Sequence, residues 1–128
     1  MSARKFTLEV LSGTFSICRL DPDAENPSWA TGEIVSLTRG PDEFSIVCSQ
    51  DNVPETINSE PGWRCLRVVG PLEFSLVGVI ASLTTILATV DISVFVISTF
   101  DTDLLLLQQS DLETAVQSLM AAGHVVSS

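Results

Sequence analysis

The sequence predicts an α+β fold made of two consecutive βαββαβ units, the first of which has its first helix reduced to a loop. Two observations lead to this prediction. The second half alternates strand-like and helix-like patterns in the order β-α-β-β-α-β, which is the ferredoxin-like order. In addition, residues 36–51 resemble residues 96–111 at a constant offset of 60, since both segments contain a strand, a turn, a strand and a residue that can open a helix.

The two copies of this pattern are unequal. Residues 15–20 resemble residues 63–68 at an offset of 48 instead of 60. The difference between the two offsets arises at residues 21–32, where the first copy has a loop in place of the long helix of the second copy. We therefore predict a degenerate N-terminal unit over residues 1–61 and a complete C-terminal unit over residues 62–128.

Alternating apolar residues and turn residues predict the elements of the first half. Gly40-Pro41-Asp42 is a hairpin signal between two strands. Residues 21–32 carry two prolines and a lone Trp29, which predicts a loop with at most one helical turn, in which Trp29 covers the core in place of the missing helix. Residues 51–62 are polar, contain two prolines, and are predicted to be a linker with a single turn of helix. The predicted strands are residues 6–10, 14–20, 34–39 and 43–49.

One long helix is predicted in the second half, beginning at Leu72 or Phe74 and ending at Val90. Its apolar residues recur at i, i+4, i+7 and i+11, as they do on one face of a helix. The opposite face carries small, uncharged residues, where a surface helix normally carries Lys, Glu or Arg. We therefore expect this small-residue stripe to be covered by the other unit or by a second chain. The apolar face is Leu76, Ile80, Leu83 and Leu87, and the stripe is Gly78, Ser82, Thr85 and Thr89.

The remaining elements of the second half complete the unit. Residues 92–99 are β-branched and aromatic on both alternating sets, which predicts a central strand. Ser110 and Glu113 form a predicted capping box at the start of the last helix, and Gly123 ends this helix. The other predicted elements are strands at residues 63–69, 103–108 and 124–126 and a helix at residues 111–122.

The balance of charge excludes two classes of partner. The chain has 16 acidic residues against 6 Lys and Arg, which gives a formal net charge of -10. Such a surface repels phosphate backbones and anionic lipids, so we expect neither nucleic-acid binding nor membrane association. The uncharged segment 74–90 is short for a membrane span and is diluted by Gly, Ser and Thr, and we interpret it as a buried helix.

The reactive side chains are few and scattered along the sequence. Cys18, Cys48 and Cys65 are far apart and lie among apolar residues, which is typical of buried thiols in a reducing compartment such as the cytoplasm. His124 is the only histidine, so the sequence offers neither a zinc-binding set nor a base beside a nucleophile. We predict a protein without catalytic activity, metal or cofactor.

One joined motif carries a family resemblance. Asp91-Ile92-Ser93 is followed, after a gap of four residues, by Ser98-Thr99-Phe100 and then by Asp103, while Gly70-Pro71-Leu72 and Gly78 precede it. With these residues the sequence resembles the tandem ACT domains of the CASTOR-type arginine sensors and their bacterial relatives. The resemblance is good over residues 63–119 and weaker over residues 13–48.

This resemblance implies a fold, a class of ligand and an assembly. The fold is βαββαβ, catalysis is absent, and an amino acid or another small ligand binds at an interface between ACT units. The eukaryotic sensors have four ACT units in one chain, so a homodimer of this two-unit chain would resemble one of them. Related units regulate aspartate kinase.

The resemblance also implies a candidate ligand site. Gly70-Pro71-Leu72 matches the loop that enters the first helix, where free backbone N–H groups and the positive end of the helix dipole suit a carboxylate. Thr99, Phe100 and Asp103 match the segment that binds the cationic side chain of the ligand in the arginine sensors. In this comparison Asp103 supplies charge and Phe100 supplies an apolar or cation–π wall.

Three departures separate this sequence from the arginine sensors. Glu73 stands where the sensors have Gly, Ser75-Leu76 replaces their acidic pair, and Thr102 replaces their second Phe. The resemblance therefore does not carry arginine specificity to this chain, and a different ligand, or none, fits equally well.

Two functions from different classes stay open at this point. The first is a regulatory ACT module that binds an amino acid and acts as a homodimer. The second is a protein–protein interaction module that has no small-molecule ligand and in which Asp103 has no special role.

Overall fold

The computed structural model describes residues 4–70 and 77–128. This part of the chain folds into eight strands and two α-helices, so the predicted α+β, ferredoxin-like class is confirmed. The same residues contain two 3₁₀ turns, Gln50–Asn52 and Gln109–Asp111. In chain order the elements are β1 (Thr7–Val10), β2 (Phe15–Leu20), β3 (Ser36–Arg39), β4 (Phe44–Ser49), β5 (Asn58–Val68), α1 (Val79–Thr89), β6 (Phe95–Ser98), β7 (Asp103–Gln108), α2 (Leu112–Ala121) and β8 (Val125–Ser127).

The chain divides into two compact units. The N-unit is Gly13–Trp63, and the C-unit contains the described residues up to Ser12 and from Arg64 onward. This division falls close to the predicted boundary between residues 61 and 62. The predicted first strand, however, belongs to the C-unit, since β1 lies before Gly13. The interpretation of the two segments as repeated copies of one unit stays a prediction.

The N-unit is a sheet whose strands are joined without an α-helix. Its strand order is β3-β4-β2-β5, and every neighbouring pair is antiparallel. The strands β2 and β3 therefore run in the same direction with β4 between them, which is the split βαβ arrangement of the ferredoxin-like order. Residues 21–35 connect β2 to β3 and contain no helix. The predicted reduction of the first helix to a loop is confirmed.

The loop between β2 and β3 covers one face of this sheet. Cys18 pairs with Ile46 across the sheet, so both side chains point to the same face. Trp29 packs against this face, as the sequence predicts, because a large indole can bury the area that a helix would otherwise cover. The core residues are Cys18, Phe44, Ile46 and Cys48, and the loop residues that pack on them are Ala24, Trp29 and Ala30.

The strand β5 begins earlier than the sequence predicts. The predicted linker includes residues 58–62, but Asn58, Ser59 and Glu60 pair with β2. The register shifts between Phe15 and Ile17, where two residues of β5 stand opposite one residue of β2. These two residues are Pro61 and Gly62, and Gly62 has a φ of 87°. The β-bulge explains why the sequence predicts a linker here, since proline and glycine usually interrupt strands but are tolerated at bulges.

The C-unit has the sheet order β8-β1-β5-β7-β6. The strand β1 lies between the last and the first strand of the βαββαβ pattern, parallel to β8 and antiparallel to β5. Both helices belong to the same unit. Its core is formed by apolar residues of the sheet and of the two helices, which are Leu8, Leu66, Val68, Leu83, Leu87, Leu105, Leu107, Ala115 and Leu119.

The helix α1 begins at Val79, so the predicted start at Leu72 or Phe74 is wrong. Those two residues lie outside the described residues, but Val77 and Gly78 are described and are not helical. Gly78 has a φ of 81°, a left-handed conformation that does not continue a helix. The buried residues of α1 are Val79, Leu83 and Leu87. Leu83 and Leu87 belong to the predicted apolar face, which is confirmed at these two positions.

The small-residue stripe of α1 is open to solvent. Gly78, Thr85 and Thr89 are exposed, and Ser82 is half-buried. The expected cover, by the other unit or by a second chain, stays a prediction.

The strand β6 lies at an edge of the sheet as far as the described residues extend, and the predicted central strand is wrong. It pairs with β7 only. Phe95, Val96 and Ile97 are all half-buried, which explains why both alternating sets of this strand are apolar.

The ends of α2 agree with the prediction in part. Ser110 lies within a 3₁₀ turn, and no side chain caps the first turn of α2, so the predicted capping box is wrong. Gly123 has a φ of 99°, and its N–H donates to the carbonyl of Met120, which ends the helix as predicted.

Candidate functional site

A tight turn between β6 and β7 presents three of the predicted site residues. The backbone N–H of Thr99 donates to the carbonyl of Thr102 at 2.8 Å, and the N–H of Thr102 donates to Oγ1 of Thr99 at 3.3 Å. Ser98 and Asp103 are paired on the two strands that flank the turn. The turn therefore fixes Thr99 and Asp103 on either side of Phe100.

The hydroxyl of Thr102 connects this turn to the neighbouring strand. Its Oγ1 donates a hydrogen bond to the carbonyl oxygen of Val68, near the end of β5. Val69 follows, and its N–H donates to the carbonyl of Thr7 at 2.8 Å. The turn thus lies beside the point where the chain leaves the sheet at Gly70. Of the predicted loop, Gly70 is described and exposed, whereas Pro71 and Leu72 lie outside the described residues.

The predicted ligand-binding side chains differ in exposure. Phe100 is 78 % exposed, which is unusual for so large an apolar side chain. Thr99 is exposed and Asp103 is half-buried. Oγ of Ser98 donates to a carboxylate oxygen of Asp103 at 2.6 Å, which orients this group and leaves it capacity to accept further hydrogen bonds. An oriented carboxylate of this kind can accept hydrogen bonds from a cationic group.

The role of Thr102 was not visible in the sequence. Comparison with the arginine sensors identified it only as a replacement for Phe. In the structure its hydroxyl holds the turn to β5, and the sequence signal for this role is weak, because a threonine after an aspartate is common in any turn.

Most reactive side chains of the described residues are buried or far from one another. In residues 4–70 and 77–128, no group of three or more His, Cys, Asp or Glu side chains is placed to hold a metal ion. His124 is buried, and its Nδ1 accepts a hydrogen bond from the backbone N–H of Phe6. Burial lowers the pKa of His124, and the nearby Lys5 lowers it further. Cys18, Cys48 and Cys65 are all buried.

Within the same described ranges, no helix is long and apolar enough to cross a membrane. The helix α1 has 11 residues, fewer than a span requires.

Comparison with family models gives two matches. A model described as an ACT domain matches residues 58–121, which is half of the chain and includes β5, both helices, β6 and β7. A second model, described only as an N-terminal domain, matches residues 13–56. No curated protein sequence matches the chain.

Solved structures support the same fold. A protein from Agobacterium tumefaciens is 41 % identical over 97 % of this chain and 93 % of its own, with a TM-score of 0.91. A protein of unknown function from Vibrio cholerae, described as a possible transport protein, is 21 % identical over 92 % of this chain and 90 % of its own, with a TM-score of 0.76. The regulatory subunit of aspartate kinase from Thermus thermophilus is 14 % identical over 91 % of this chain and 96 % of its own, with a TM-score of 0.63. At these low identities the last two structures show a shared fold.

Proposed function

The chain belongs to the ACT domain family, and from this premise we propose that it is a non-enzymatic regulatory module that binds an amino acid or a similar small ligand. The observation that carries the proposal is the hydrogen bond from Thr102 to the carbonyl of Val68. Through this bond the turn at Thr99–Thr102 lies beside Gly70, the first residue of the predicted ligand loop. Similarity to the regulatory subunit of an aspartate kinase supports a regulatory role.

Each part of the proposed site has a chemical role. The backbone N–H groups of the loop Gly70-Pro71-Leu72 are proposed to meet the carboxylate of the ligand, except at Pro71, which has none. Asp103 is proposed to accept hydrogen bonds from an ammonium or another cationic group, and Phe100 to form the apolar wall. Thr99 shapes the turn between them. We do not propose arginine as the specific ligand, since Thr102 stands where the arginine sensors have Phe.

The absence of catalysis is proposed from the state of the reactive groups. A nucleophilic thiol needs a base beside it and access to substrate. Cys18, Cys48 and Cys65 are buried, and His124 uses its Nδ1 to accept the bond from Phe6. Three free thiols also suit a reducing compartment, which favours the cytoplasm.

A homodimer is proposed because β6 offers an edge for a second chain. Within the described residues, Val96 and Ile97 of this strand pair with β7 and with no other strand. Its sequence is apolar, and an exposed apolar edge favours pairing with another strand. Phe100 lies two residues after the end of β6 and is largely exposed.

A second candidate function is a protein–protein interaction module without a small ligand. The observation that favours it is the exposure of two large apolar side chains in the C-unit, Phe100 at 78 % and Val77 at 92 %. Large exposed apolar side chains are enriched at interfaces with other proteins. In this case the carboxylate of Asp103 would have no special role.

Thermal denaturation in the presence of each of the twenty amino acids tests the leading proposal. A ligand present at about a hundred times its dissociation constant stabilises the folded state by about 2.7 kcal/mol, which raises the melting temperature measurably. We expect at least one amino acid to do so for the wild-type chain and for Asp101→Asn, but not for Asp103→Asn. Asp101 is a matched control, since it is an exposed aspartate in the same turn. No stabilisation by any amino acid would favour the interaction module.

A further inference from the structure

A groove beside α1 in the C-unit contains none of the residues of the candidate ligand site. It has a volume of about 480 Å³ and is lined by residues of α1, by the residue that follows α2, and by residues that precede β1 and β8. Its polar side chains are Lys5, Ser82, Thr85 and His124. None of the described residues that line this groove is acidic, although the chain has a formal net charge of -10.

Lys5 is the only lysine of the chain, and the fold holds its side chain at this groove. Its Nζ donates to the carbonyl of Ala122 at 2.7 Å, and a Cβ at Gly123 would lie 3.0 Å from its Cε. A bond of this kind is common for a lysine at the C-terminal end of a helix. Because an ammonium group has three N–H donors, two of them are left for another acceptor. Lys5 has no carboxylate partner among the described residues.

His124 brings a second donor to the groove. Its side chain is 5 % exposed, and its Nδ1 accepts a hydrogen bond from the N–H of Phe6, so the proton of the neutral ring is on Nε2. Nε2 has no hydrogen-bond partner among the described residues, and it keeps some accessible surface. Because the ring lines the groove, this N–H group can donate to an acceptor there.

The hydroxyl groups of α1 fall into two sets. Those of Thr84 and Thr89 donate back to carbonyls of the same helix, at 2.7 Å and 2.6 Å. Those of Ser82 and Thr85, which line the groove, form no hydrogen bond with the described residues. A hydroxyl that is not bonded to the helix backbone can donate to a ligand. The groove therefore offers two further donors, three residues apart on one helix.

This set of donors indicates an anion with several acceptor oxygens. The donors belong to three separate segments, which are the residue before β1, the helix α1 and the residue before β8. A carboxylate has two oxygens in one plane, whereas a phosphate group has at least three strong acceptor oxygens that point in different directions. Lysine is a common phosphate ligand in proteins, and hydrogen bonds between charged groups are the strong ones.

We propose that this groove binds a phosphate group, either inorganic phosphate or the phosphate of a small monoester. The ammonium of Lys5 and the Nε2–H of His124 donate to phosphate oxygens, and the hydroxyls of Ser82 and Thr85 donate to the oxygens that face α1. The proposal is independent of the proposed amino-acid site, since none of these four residues belongs to that site.

The rest of the lining bears on the source of the phosphate. Ala81, Ile86 and Ala122 are apolar and complete the groove. The aliphatic part of a monoester would contact these side chains and bury apolar surface, which free phosphate cannot do.

An NMR titration at constant pH in about 0.15 M sodium chloride tests the site with inorganic phosphate, glycerol 3-phosphate and acetate. We expect at least one of the two phosphate compounds to bind saturably with a dissociation constant of about 1 mM or lower. Acetate should bind at least about tenfold more weakly, because it offers two oxygens and a smaller charge. Tighter binding of glycerol 3-phosphate would assign the groove to a monoester, and equal or tighter binding of phosphate would assign it to the free ion.

Matched variants separate this groove from the general charge of the chain. We expect Lys5→Gln to weaken binding of the phosphate compound by about tenfold or more, because a charge-assisted hydrogen bond is lost. Arg4→Gln removes the same charge at an exposed neighbouring residue that does not line the groove, and its effect should stay within about twofold. Thr85→Val should weaken binding, whereas Thr89→Val should not, because the hydroxyl of Thr89 is bonded to the carbonyl of Ile86.

The wild-type chain gives a readout that does not depend on the stability of any variant. His124 is the only histidine, so the signal of its Nε2 can be followed directly, and it should shift saturably with the phosphate compound. The proposal is overturned if neither phosphate compound binds, if acetate binds as tightly, if Lys5→Gln and Arg4→Gln weaken binding equally, or if the Nε2 signal does not move.

Discussion

The backbone N–H of Phe6 donates a hydrogen bond to Nδ1 of His124 at 3.0 Å, and the two rings stack with their centroids 5.7 Å apart. This contact joins the residue before β1 to the residue before β8, and so helps to place the strand that lies between the ends of the βαββαβ pattern. Protonation of Nδ1 would remove the acceptor that Phe6 uses. Burial lowers the pKa of His124, and Lys5 lowers it further.

This depressed pKa predicts a loss of stability in acid. The unfolded state binds a proton near the ordinary histidine pKa of 6.5, whereas the folded state resists it. Stability from this group is therefore complete above that value and is lost as the pH falls below it toward the folded-state pKa. Urea unfolding at about pH 7.5 and about pH 5.5 measures the difference, and we expect His124→Gln to lose less stability than the wild type between the two. Equal losses in both proteins would contradict this role for His124.

Gly32 is predicted to be far less tolerant of substitution than Gly13. Both have positive φ, 137° for Gly32 and 87° for Gly13, so alanine is strained at either position. A Cβ at Gly32 would come within 2.9 Å of the backbone nitrogen of Ser49, whereas a Cβ at Gly13 meets nothing within 4 Å. We expect Gly13→Ala to cost about 1 kcal/mol, from backbone strain alone, and Gly32→Ala to cost clearly more. Denaturant unfolding of the two variants checks this, and equal costs would show that the contact with Ser49 is relieved.

Thr102→Val removes the hydroxyl that binds the carbonyl of Val68 and keeps the shape of the side chain. We expect a loss of about 1 kcal/mol in the free energy of unfolding, since one intramolecular hydrogen bond is lost. Thr38→Val is the matched control, because Thr38 is an exposed strand residue, and its effect should stay within about 0.5 kcal/mol. Chemical denaturation gives both values. If the two variants are equally stable, the hydrogen bond between the turn and β5 contributes nothing to the free energy of unfolding.

The cysteines are predicted to be unreactive in the folded chain. Burial is the main reason that the pKa of Cys48 is raised to about 11, and the neighbouring thiol of Cys18 also raises it. Burial raises the pKa of Cys18 as well. The thiolate is the reactive form, so few of these groups can react at about pH 8. An aromatic disulfide reagent should label the native chain slowly and all three thiols quickly after unfolding in guanidinium. Rapid labelling of the native chain would indicate that the core around at least one of these cysteines opens readily.

Much of the fold could be predicted from local patterns. The hairpin at Gly40-Pro41-Asp42, the covering role of Trp29 and the end of α2 at Gly123 depend on residues close in sequence. These features follow from turn chemistry and from side-chain size, and both depend only on the identity of the residues.

The errors have non-local causes. The start of β5 at Asn58 depends on a bulge opposite β2, and the start of α1 depends on the left-handed conformation of Gly78. The edge position of β6 depends on which strands pair with it, since its sequence is as apolar as that of a central strand. Strand pairing of this kind cannot be derived from the periodicity of a single segment.

The candidate ligand site was predictable only through the family resemblance. Thr99, Phe100 and Asp103 carry no motif that composition or spacing would single out. The contact from Thr102 to Val68 joins residues 34 positions apart. The groove beside α1 was not identified either, because only the fold brings Lys5 to the end of α2.

The central claim is that an amino acid binds where the turn at Thr99–Asp103 lies beside the loop that begins at Gly70. An amide NMR titration of the wild-type chain with a mixture of the twenty amino acids tests this claim most directly. We predict saturable shifts for Gly70, Thr99, Phe100 and Asp103 that disappear in Asp103→Asn and persist in Asp101→Asn. The absence of saturable shifts at these four amides, or shifts that persist unchanged in Asp103→Asn, would contradict the claim.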